Sequence, residues 1–196
     1  MERLQLKTEQ PKLKAERRQP NQSLILVRHA MPDFSRDIPA RDWPLSADGR
    51  EAAATVAAWI AAEVPEALLV ASSETKAVQT LAPAGEVRRD ARFDEVERVE
   101  PFGGEFRRLR REYVGGVEHV GWEPRARVVE RFDAALREHG DGRTVVVATH
   151  GMALTLWVAA RIGVDDPVAF WEELRFPDVL RIDVAARNLE RVGLVG

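Results

Sequence analysis

The stretch Leu24-Ile25-Leu26-Val27-Arg28-His29 decides the fold. Four apolar residues without alternation read as a strand buried on both faces, the pattern of a parallel sheet covered by helices, and the run ends abruptly in an arginine and a histidine. The arrangement returns far downstream, where Val145-Val146-Val147-Ala148-Thr149 closes on His150-Gly151. Each run delivers a histidine to the end of a strand, which is where open α/β sheets keep their chemistry. Two such histidines with Arg28 beside one of them suit phosphoryl transfer, since one imidazole can attack phosphorus while cations and donors hold the phosphoryl oxygens.

Between and after these runs, strand and helix patterns alternate. Ser46-Ala47-Asp48-Gly49 reads as a helix start, followed by an alanine-rich segment from Ala52 to Val64 with Val56, Trp59, Ile60 and Val64 spaced for one face. Leu68 to Ala71 reads as a strand, Thr75 to Leu81 as a helix, Glu86 to Val96 as extended or loop, and Phe102 to Tyr113 as a helix ended by Gly115-Gly116. A helix from Arg125 to His139 should stop at a C′ Gly140, and one from 151 to 162 at Gly163. Asp165-Asp166-Pro167 opens a short helix with an N-cap and an N1 proline; Val179 to Val184 and Leu189 to Val192 are the closing strands. Strands separated by helices predict a three-layer α/β/α sandwich around a mostly parallel sheet.

With 196 residues and 45% hydrophobic content, the chain suffices for one domain, assigned to residues 23 to 196. Residues 1 to 22 hold a net charge of +3 and little to bury, and read as a solvated, mobile tail. A formal net charge of −3 gives no basic field for nucleic acid. There is no cysteine, which excludes disulfides, thiolate metal sites and a cysteine nucleophile. No signal-peptide pattern opens the chain and no apolar run reaches membrane-span length, so the expectation is a cytoplasmic protein without membrane contact. Self-association as a homodimer is left open.

His29 is the candidate nucleophile: its nitrogen attacks phosphorus only while neutral, and adjacent Arg28 opposes its protonation. His150-Gly151 stands at a strand-to-helix junction, where free N–H groups and the helix dipole favour an anion and glycine lets a ligand approach closely. His119 and His139 have no partner at motif spacing and read as structural or surface residues. His139 falls in a helix's last turn, where a cation suits the dipole.

Four segments resemble the histidine phosphatase superfamily, the phosphoglycerate mutase-like fold. Leu24 to Ala30 is similar to that family's Arg-His-Gly motif, with Ala30 in place of glycine; Leu45-Ser46-Ala47-Asp48-Gly49-Arg50 to its Leu-Thr-x-x-Gly segment; Ser72 to Thr80 to a segment beginning Ser-Ser and ending Arg-Ala-x-Gln-Thr; and Val147 to Gly151 to its second His-Gly motif. They occur in the family's order. The resemblance implies that His29 becomes a phosphohistidine, that Arg28 and His150 hold the phosphoryl oxygens, and that no metal or other cofactor takes part. Lys76 stands where the family has a further phosphate-binding arginine. It is the only lysine after the tail, against 22 arginines, so compositional drift does not explain it; it offers a point charge without a bidentate fork. Whether Lys76 and Ala30 impair activity stays open at this level.

Hydrolysis also needs a proton donor for the leaving oxygen. The resemblance puts it after a hydrophobic-x-Glu element, which Phe93-Asp94-Glu95 matches, so Glu95 is the expected acid; Asp94 and Glu97 are the alternatives. The substrate pocket and lid are expected from Ala30 to Pro44 and Arg98 to Pro124, with Phe34, Trp43, Phe102, Phe106, Tyr113 and Trp122 as an apolar wall or as lid core. Arg107, Arg108, Arg110 and Arg111 read as a solvated helix face paired with Glu105 and Glu112. The function so implied is a phosphomonoesterase acting on a small phosphorylated metabolite. The alternatives are a cofactor-dependent phosphoglycerate mutase-type phosphotransferase and a non-catalytic phosphate-binding module.

Overall fold

The computed structural model describes residues 24–100, 105–140 and 142–194. The expected tail over residues 1 to 22, and Phe102, lie outside the described residues. Six strands form one sheet: β1 (Leu24–Arg28), β2 (Leu68–Ala71), β3 (Arg88–Arg89), β4 (Val145–Thr149), β5 (Asp178–Asp183) and β6 (Asn188–Arg191), in the order β3-β2-β4-β1-β5-β6. β3, β2, β4 and β1 are parallel, while β5 and β6 close the sheet antiparallel. The helices are α1 (Ala47–Glu63), α2 (Thr75–Leu81), α3 (Phe106–Val114), α4 (Arg125–His139), α5 (Gly151–Arg161) and α6 (Pro167–Glu173).

Alternation along the central strands sorts their side chains into two cores. Leu24, Leu26, Val70, Val145 and Val147 face a core shared with Val128 and Phe132 of α4 and Leu154, Trp157 and Val158 of α5. Ile25, Val27, Leu69, Ala71, Val146 and Ala148 face Val56 and Ile60 of α1 and Ala77 and Leu81 of α2. Both faces of the apolar strands are thereby covered, which is the three-layer arrangement the unbroken apolar runs predict. Deleting a fully buried ring from this core, such as Phe132, costs about 3–5 kcal/mol by the usual cavity argument.

Local chemistry fixes the element ends. Ser46 caps α1 by accepting from Gly49 N at 3.0 Å, so the helix starts well before the alanine-rich segment. Gly49 has no substitute: a Cβ there would lie 2.1 Å from Met31 O, the carbonyl that also accepts from Ser46 N. Asp166 caps α6 through Val168 N and Ala169 N, with Pro167 at the first helical position. Gly140 ends α4 with φ −80°, not with the left-handed turn of a C′ glycine; Gly163, at φ +87°, makes that turn after α5. Among the described residues α3 begins only at Phe106. No helix among the described residues is long and apolar enough to cross a membrane.

Register positions the site. Arg28 pairs with Thr149 and Ala71 with Ala148, so the residues that follow, His29, His150 and Ser72, emerge side by side at the carboxyl edge of β1, β4 and β2. His29 N donates to Thr149 O at 3.0 Å and Ser72 N to Ala148 O at 2.9 Å, continuing the ladder up to the site itself.

Candidate active site

The two histidines meet. Their ring centroids are 5.1 Å apart, and both are buried, His150 almost completely. His29 Nδ1 lies 2.8 Å from Ala30 O. A carbonyl only accepts, so Nδ1 carries the proton and Nε2 keeps the lone pair. Ala30 does not disturb this arrangement: its carbonyl receives the imidazole and its N–H donates to Thr80 Oγ1 at 2.9 Å.

His150 is fixed in the opposite tautomer. Its Nε2 lies 2.7 Å from Ser72 Oγ, whose single proton goes to Asp94 Oδ1 at 2.8 Å. Ser72 can therefore only accept from His150, which places a proton on Nε2. His150 Nδ1 is buried without a partner, and so is Arg28 Nε. Buried polar atoms of this kind call for a ligand. Burial, together with the charge of Lys76, holds the His29 imidazole well below its ordinary range and the His150 imidazole at about 3, so both are neutral at pH 7.

Arg28 is clamped. Its guanidinium carbon lies 3.5 Å from the centroid of the Phe176 ring and Nη1 donates to Leu174 O at 2.6 Å; burial lowers its pKa to about 10, so it stays charged. Phe176 also packs on His29, with ring centroids 5.3 Å apart. Gly151 makes room for this clamp: a Cβ there would lie 3.4 Å from Arg28 Cζ and 3.2 Å from Trp171 Nε1.

Lys76 points inward, buried on the first turn of α2. Its ammonium donates to Ala40 O at 2.9 Å and forms an ion pair with Glu74 Oε2. Ala40 belongs to the short 3-10 turn Ala40–Asp42 in the loop between β1 and α1. That loop also carries the exposed Phe34, edge-on against Trp43 at 5.1 Å, so Lys76 ties an aromatic-bearing loop to the start of α2. Glu74 was not anticipated. Its Oε1 accepts from Glu95 N at 3.1 Å and lies 3.6 Å from His150 Nε2.

Glu95, the expected acid, is held by backbone amides. Its Oε1 accepts from Val96 N and Ala153 N, both at 3.0 Å, and its Oε2 from Met152 N at 3.3 Å. Despite the penalty of burial, His150, which is itself protonated only in that acid range, together with Arg98 and these amides holds the Glu95 carboxyl at about 2. The anion seat expected at the start of α5 is thus filled by the protein's own carboxylate. Asp94 is engaged by Ser72 and Ser73, accepting from Ser73 N and Ser73 Oγ at 2.6 Å each. Glu97 is exposed and lines an open cavity with Arg98, Val99, Trp122 and Arg127, away from the histidines. The segment holding Asp94 and Glu95 is pinned from behind by Thr149 Oγ1 on Phe93 O at 2.7 Å and Arg131 Nη1 on Arg92 O at 2.6 Å.

The remaining expected residues are accounted for. Tyr113 and Trp122 pack in the core, with ring centroids 5.0 Å apart. Arg108 pairs with Glu105 and Glu112, Arg110 with Glu100, and Arg111 with Glu172. His119 Nε2 lies 3.0 Å from Leu109 O and His139 Nε2 2.8 Å from Asp90 Oδ2, each outside the pocket.

A pair of opposed histidines at the carboxyl edge of a parallel sheet, with a clamped arginine and a buried lysine around them, defines a phosphoryl-transfer enzyme of the α/β class. The model of the histidine phosphatase superfamily (branch 1) matches residues 24–178, and the chain belongs to that family. Membership supports phosphomonoester hydrolysis, the activity its four motifs imply. Among solved structures, the chain is similar to the mycobacterial glucosyl-3-phosphoglycerate phosphatase (22% identity, 87% of this chain and 96% of that one, TM-score 0.64). It is also similar to an open reading frame product of Mycobacterium tuberculosis (18% identity, 89% and 98%, TM-score 0.66). A mutant phosphoserine phosphatase from Entamoeba histolytica in complex with phosphoserine matches as well (15% identity, 87% and 95%, TM-score 0.63). At these identities the likeness is one of fold. No curated protein sequence matches the chain.

Proposed function

We propose that the chain hydrolyses a small phosphate monoester through a phosphohistidine on His29 Nε2. The observation that carries this reading is the Nδ1–H bond to Ala30 O, which leaves the lone pair on Nε2 beside the unpartnered Arg28 Nε and His150 Nδ1. Nε2 attacks phosphorus, the ester P–O bond breaks, and water later displaces the histidine. Arg28, Lys76 and His150 hold the phosphoryl oxygens and offset the charge spread over them in the transition state. His150 can give a hydrogen bond from Nδ1 when it takes up a proton with the anion. Gly151 provides the room in which Arg28 lies against α5. Glu95 anchors the start of α5 behind His150; taking up a proton as the anion binds, it gives that proton to the leaving oxygen and then takes one from the attacking water, which returns it to its starting state.

The substrate in this reading is a small phosphorylated metabolite. Phe34 and Trp43, in the loop that Lys76 holds through Ala40 O, are available to an apolar portion of the molecule, and the phosphatases similar in fold are named for glucosyl-3-phosphoglycerate and phosphoserine. The test is a phosphatase screen across phosphorylated metabolites and an aryl phosphate, run with the wild type and His29→Ala. The wild type should turn over substrate and, when trapped, carry acid-labile phosphate on one histidine. Wild-type turnover by His29→Ala would overturn the mechanism.

A further inference from the structure

After the 3-10 turn Ala91–Phe93 the chain runs from Asp94 to Glu100 without helix or strand, and Glu95 must keep its place within that irregular run. Carbonyls outside regular structure still need donors, and the groups that supply them decide where the run lies. Thr149 Oγ1 serves Phe93 O at 2.7 Å, Arg98 Nη1 serves Val96 O at 2.9 Å and Glu123 N serves Glu97 O at 2.7 Å. One guanidinium, that of Arg131 on α4, serves the two carbonyls on either side of Phe93-Asp94: Arg92 O at 2.6 Å and Glu95 O at 3.4 Å. We propose that Arg131, aimed by Glu123, is the positioning residue of the proton-transfer step, holding the Glu95 backbone so that its carboxyl meets the leaving oxygen and then the attacking water.

The hold is rigid at both ends. Arg131 Nε donates to Glu123 Oε1 at 2.8 Å and Nη2 to Oε2 at 3.1 Å, the two-point pairing that fixes the plane of a guanidinium. Both side chains are largely shielded from solvent and their charges answer each other, so the pair acts through geometry. Glu123 grips the same run directly: its Oε2 accepts from Glu97 N at 3.3 Å, and its own carbonyl accepts from Tyr113 Oη at 2.7 Å. On the other side, Arg131 stands on a helix fastened to the core by Val128, Phe132 and Ala135, and Phe132 packs edge-on against Phe93 of the turn with ring centroids 4.8 Å apart.

Proton transfer makes this hold matter. A general acid works only within hydrogen-bond reach of the oxygen it protonates, and a displacement of about 1 Å costs on the order of a hundredfold in rate. The Glu95 carboxylate is oriented by Met152 N and Ala153 N at the start of α5. Those bonds weaken each time the carboxyl takes up its proton, because a neutral group accepts less strongly than a charged one. The bond from Arg131 to Glu95 O does not depend on the carboxyl's charge. It holds the residue in both halves of the reaction, when the acid gives its proton to the leaving oxygen and when the carboxylate takes one from water.

The inference rests on the phosphohistidine phosphatase reading with Glu95 as its proton donor, and one set of measurements separates the two. First-turnover release of the phenol is followed by rapid quench with phenyl phosphate, whose leaving group needs a proton, and with nitrophenyl phosphate, whose leaving group does not. The proteins are the wild type, Arg131→Gln, Arg131→Lys and, as the reference for a lost acid, Glu95→Gln. Both Arg131 variants should cleave phenyl phosphate at least about tenfold more slowly than wild type, with nitrophenyl phosphate slowed less than about threefold. Their inhibition constants for inorganic phosphate should stay within about threefold of wild type, since the groups that hold the phosphoryl oxygens are untouched. A folded Arg131 variant that cleaves the two esters in the wild-type ratio overturns the inference alone, whether both rates are kept or both fall together as a merely structural role requires. Arg131→Lys keeps the charge opposite Glu123 and loses the fork, so it decides the matter where Arg131→Gln does not fold. Wild-type cleavage of phenyl phosphate by Glu95→Gln overturns the acid assignment and this inference with it. A wild type that cleaves neither ester, nor any phosphorylated metabolite, overturns the phosphatase reading itself.

Discussion

Ser72 fixes the tautomer of His150. Its Oγ accepts from His150 Nε2 at 2.7 Å because its own proton is committed to Asp94 Oδ1, so the hydroxyl has only its acceptor face to offer. Ser72→Ala removes that constraint and lets the proton move between the ring nitrogens. We expect kcat to fall about fivefold to tenfold, the size of one hydrogen bond's net worth, with Ser72→Thr retaining most activity. Steady-state kinetics check this; equal kcat in wild type and Ser72→Ala would show that the tautomer does not matter.

Phe176 holds Arg28 and His29 at once, lying 3.5 Å from the guanidinium carbon and with its centroid 5.3 Å from the imidazole centroid. A cation–π contact of this burial contributes about 0.5–2 kcal/mol. Phe176→Leu keeps an apolar side chain and loses the π face, so phosphate affinity should weaken about threefold to tenfold while the fold persists. Inhibition constants for inorganic phosphate, measured beside a thermal melt, distinguish loss of the clamp from loss of the protein. An unchanged constant in a folded variant would mean that Leu174 O alone positions Arg28.

The strands were legible because their chemistry is one-dimensional. Leu24 to Val27 and Val145 to Ala148 are apolar without interruption, and only a strand covered on both faces accommodates that. His29 and His150 follow directly from the ends of those runs, and Ser72 from the parallel register of β2. Glu74 and Glu95 were harder for a physical reason: each lies at an element boundary, where no period states which way a side chain turns. Glu95 matched a motif position, yet nothing in the motif says that three amides would hold it ionised. Phe176 required knowing that β5 runs antiparallel beside β1. The pairing of Arg28 with Asp178 brings the residues just before the strand over the site, and a reading of the closing strands without direction could not place them. The pre-proline position of Phe176, two residues before β5, was the available signal.

Burial also sets how stability responds to acid. His29 and His150 are held neutral in the folded protein, below the ordinary histidine value of 6.5, whereas the unfolded chain takes up protons there. Their contribution is therefore full above about pH 6.5 and is lost as pH falls toward the folded values. Glu95 adds a second window: from an ordinary 4.5 it is lowered to about 2, so its contribution is present above 4.5 and lost on the way down to 2. That shift corresponds to roughly 3 kcal/mol. Melting curves should be flat from pH 8 to pH 7, decline below about 6.5 and steepen below about 4.5. Glu95→Gln should soften the second decline and His150→Asn the first. A melting temperature constant from pH 7 to pH 5 would contradict the assignment of neutral buried histidines.

Lys76 and Glu74 must be tested together, because each is the other's buried partner. Lys76→Ala should lower kcat/KM at least about tenfold, roughly 1.4 kcal/mol of transition-state stabilisation. It should also destabilise the fold by about 3–5 kcal/mol, since Glu74 is left as an uncompensated buried charge. The double variant Lys76→Ala with Glu74→Gln should regain much of that stability and little of the rate: stability depends on the pair being matched, catalysis on a cation being present. Lys76→Arg should preserve activity, because a planar fork can hold a carboxylate and a phosphoryl oxygen at once. Thermal melts and kinetics on wild type, Lys76→Ala, Glu74→Gln and the double variant form a cycle in which the two readouts separate. Were the double variant as active as wild type, Lys76 would be a structural partner of Glu74 with no hold on the phosphoryl group.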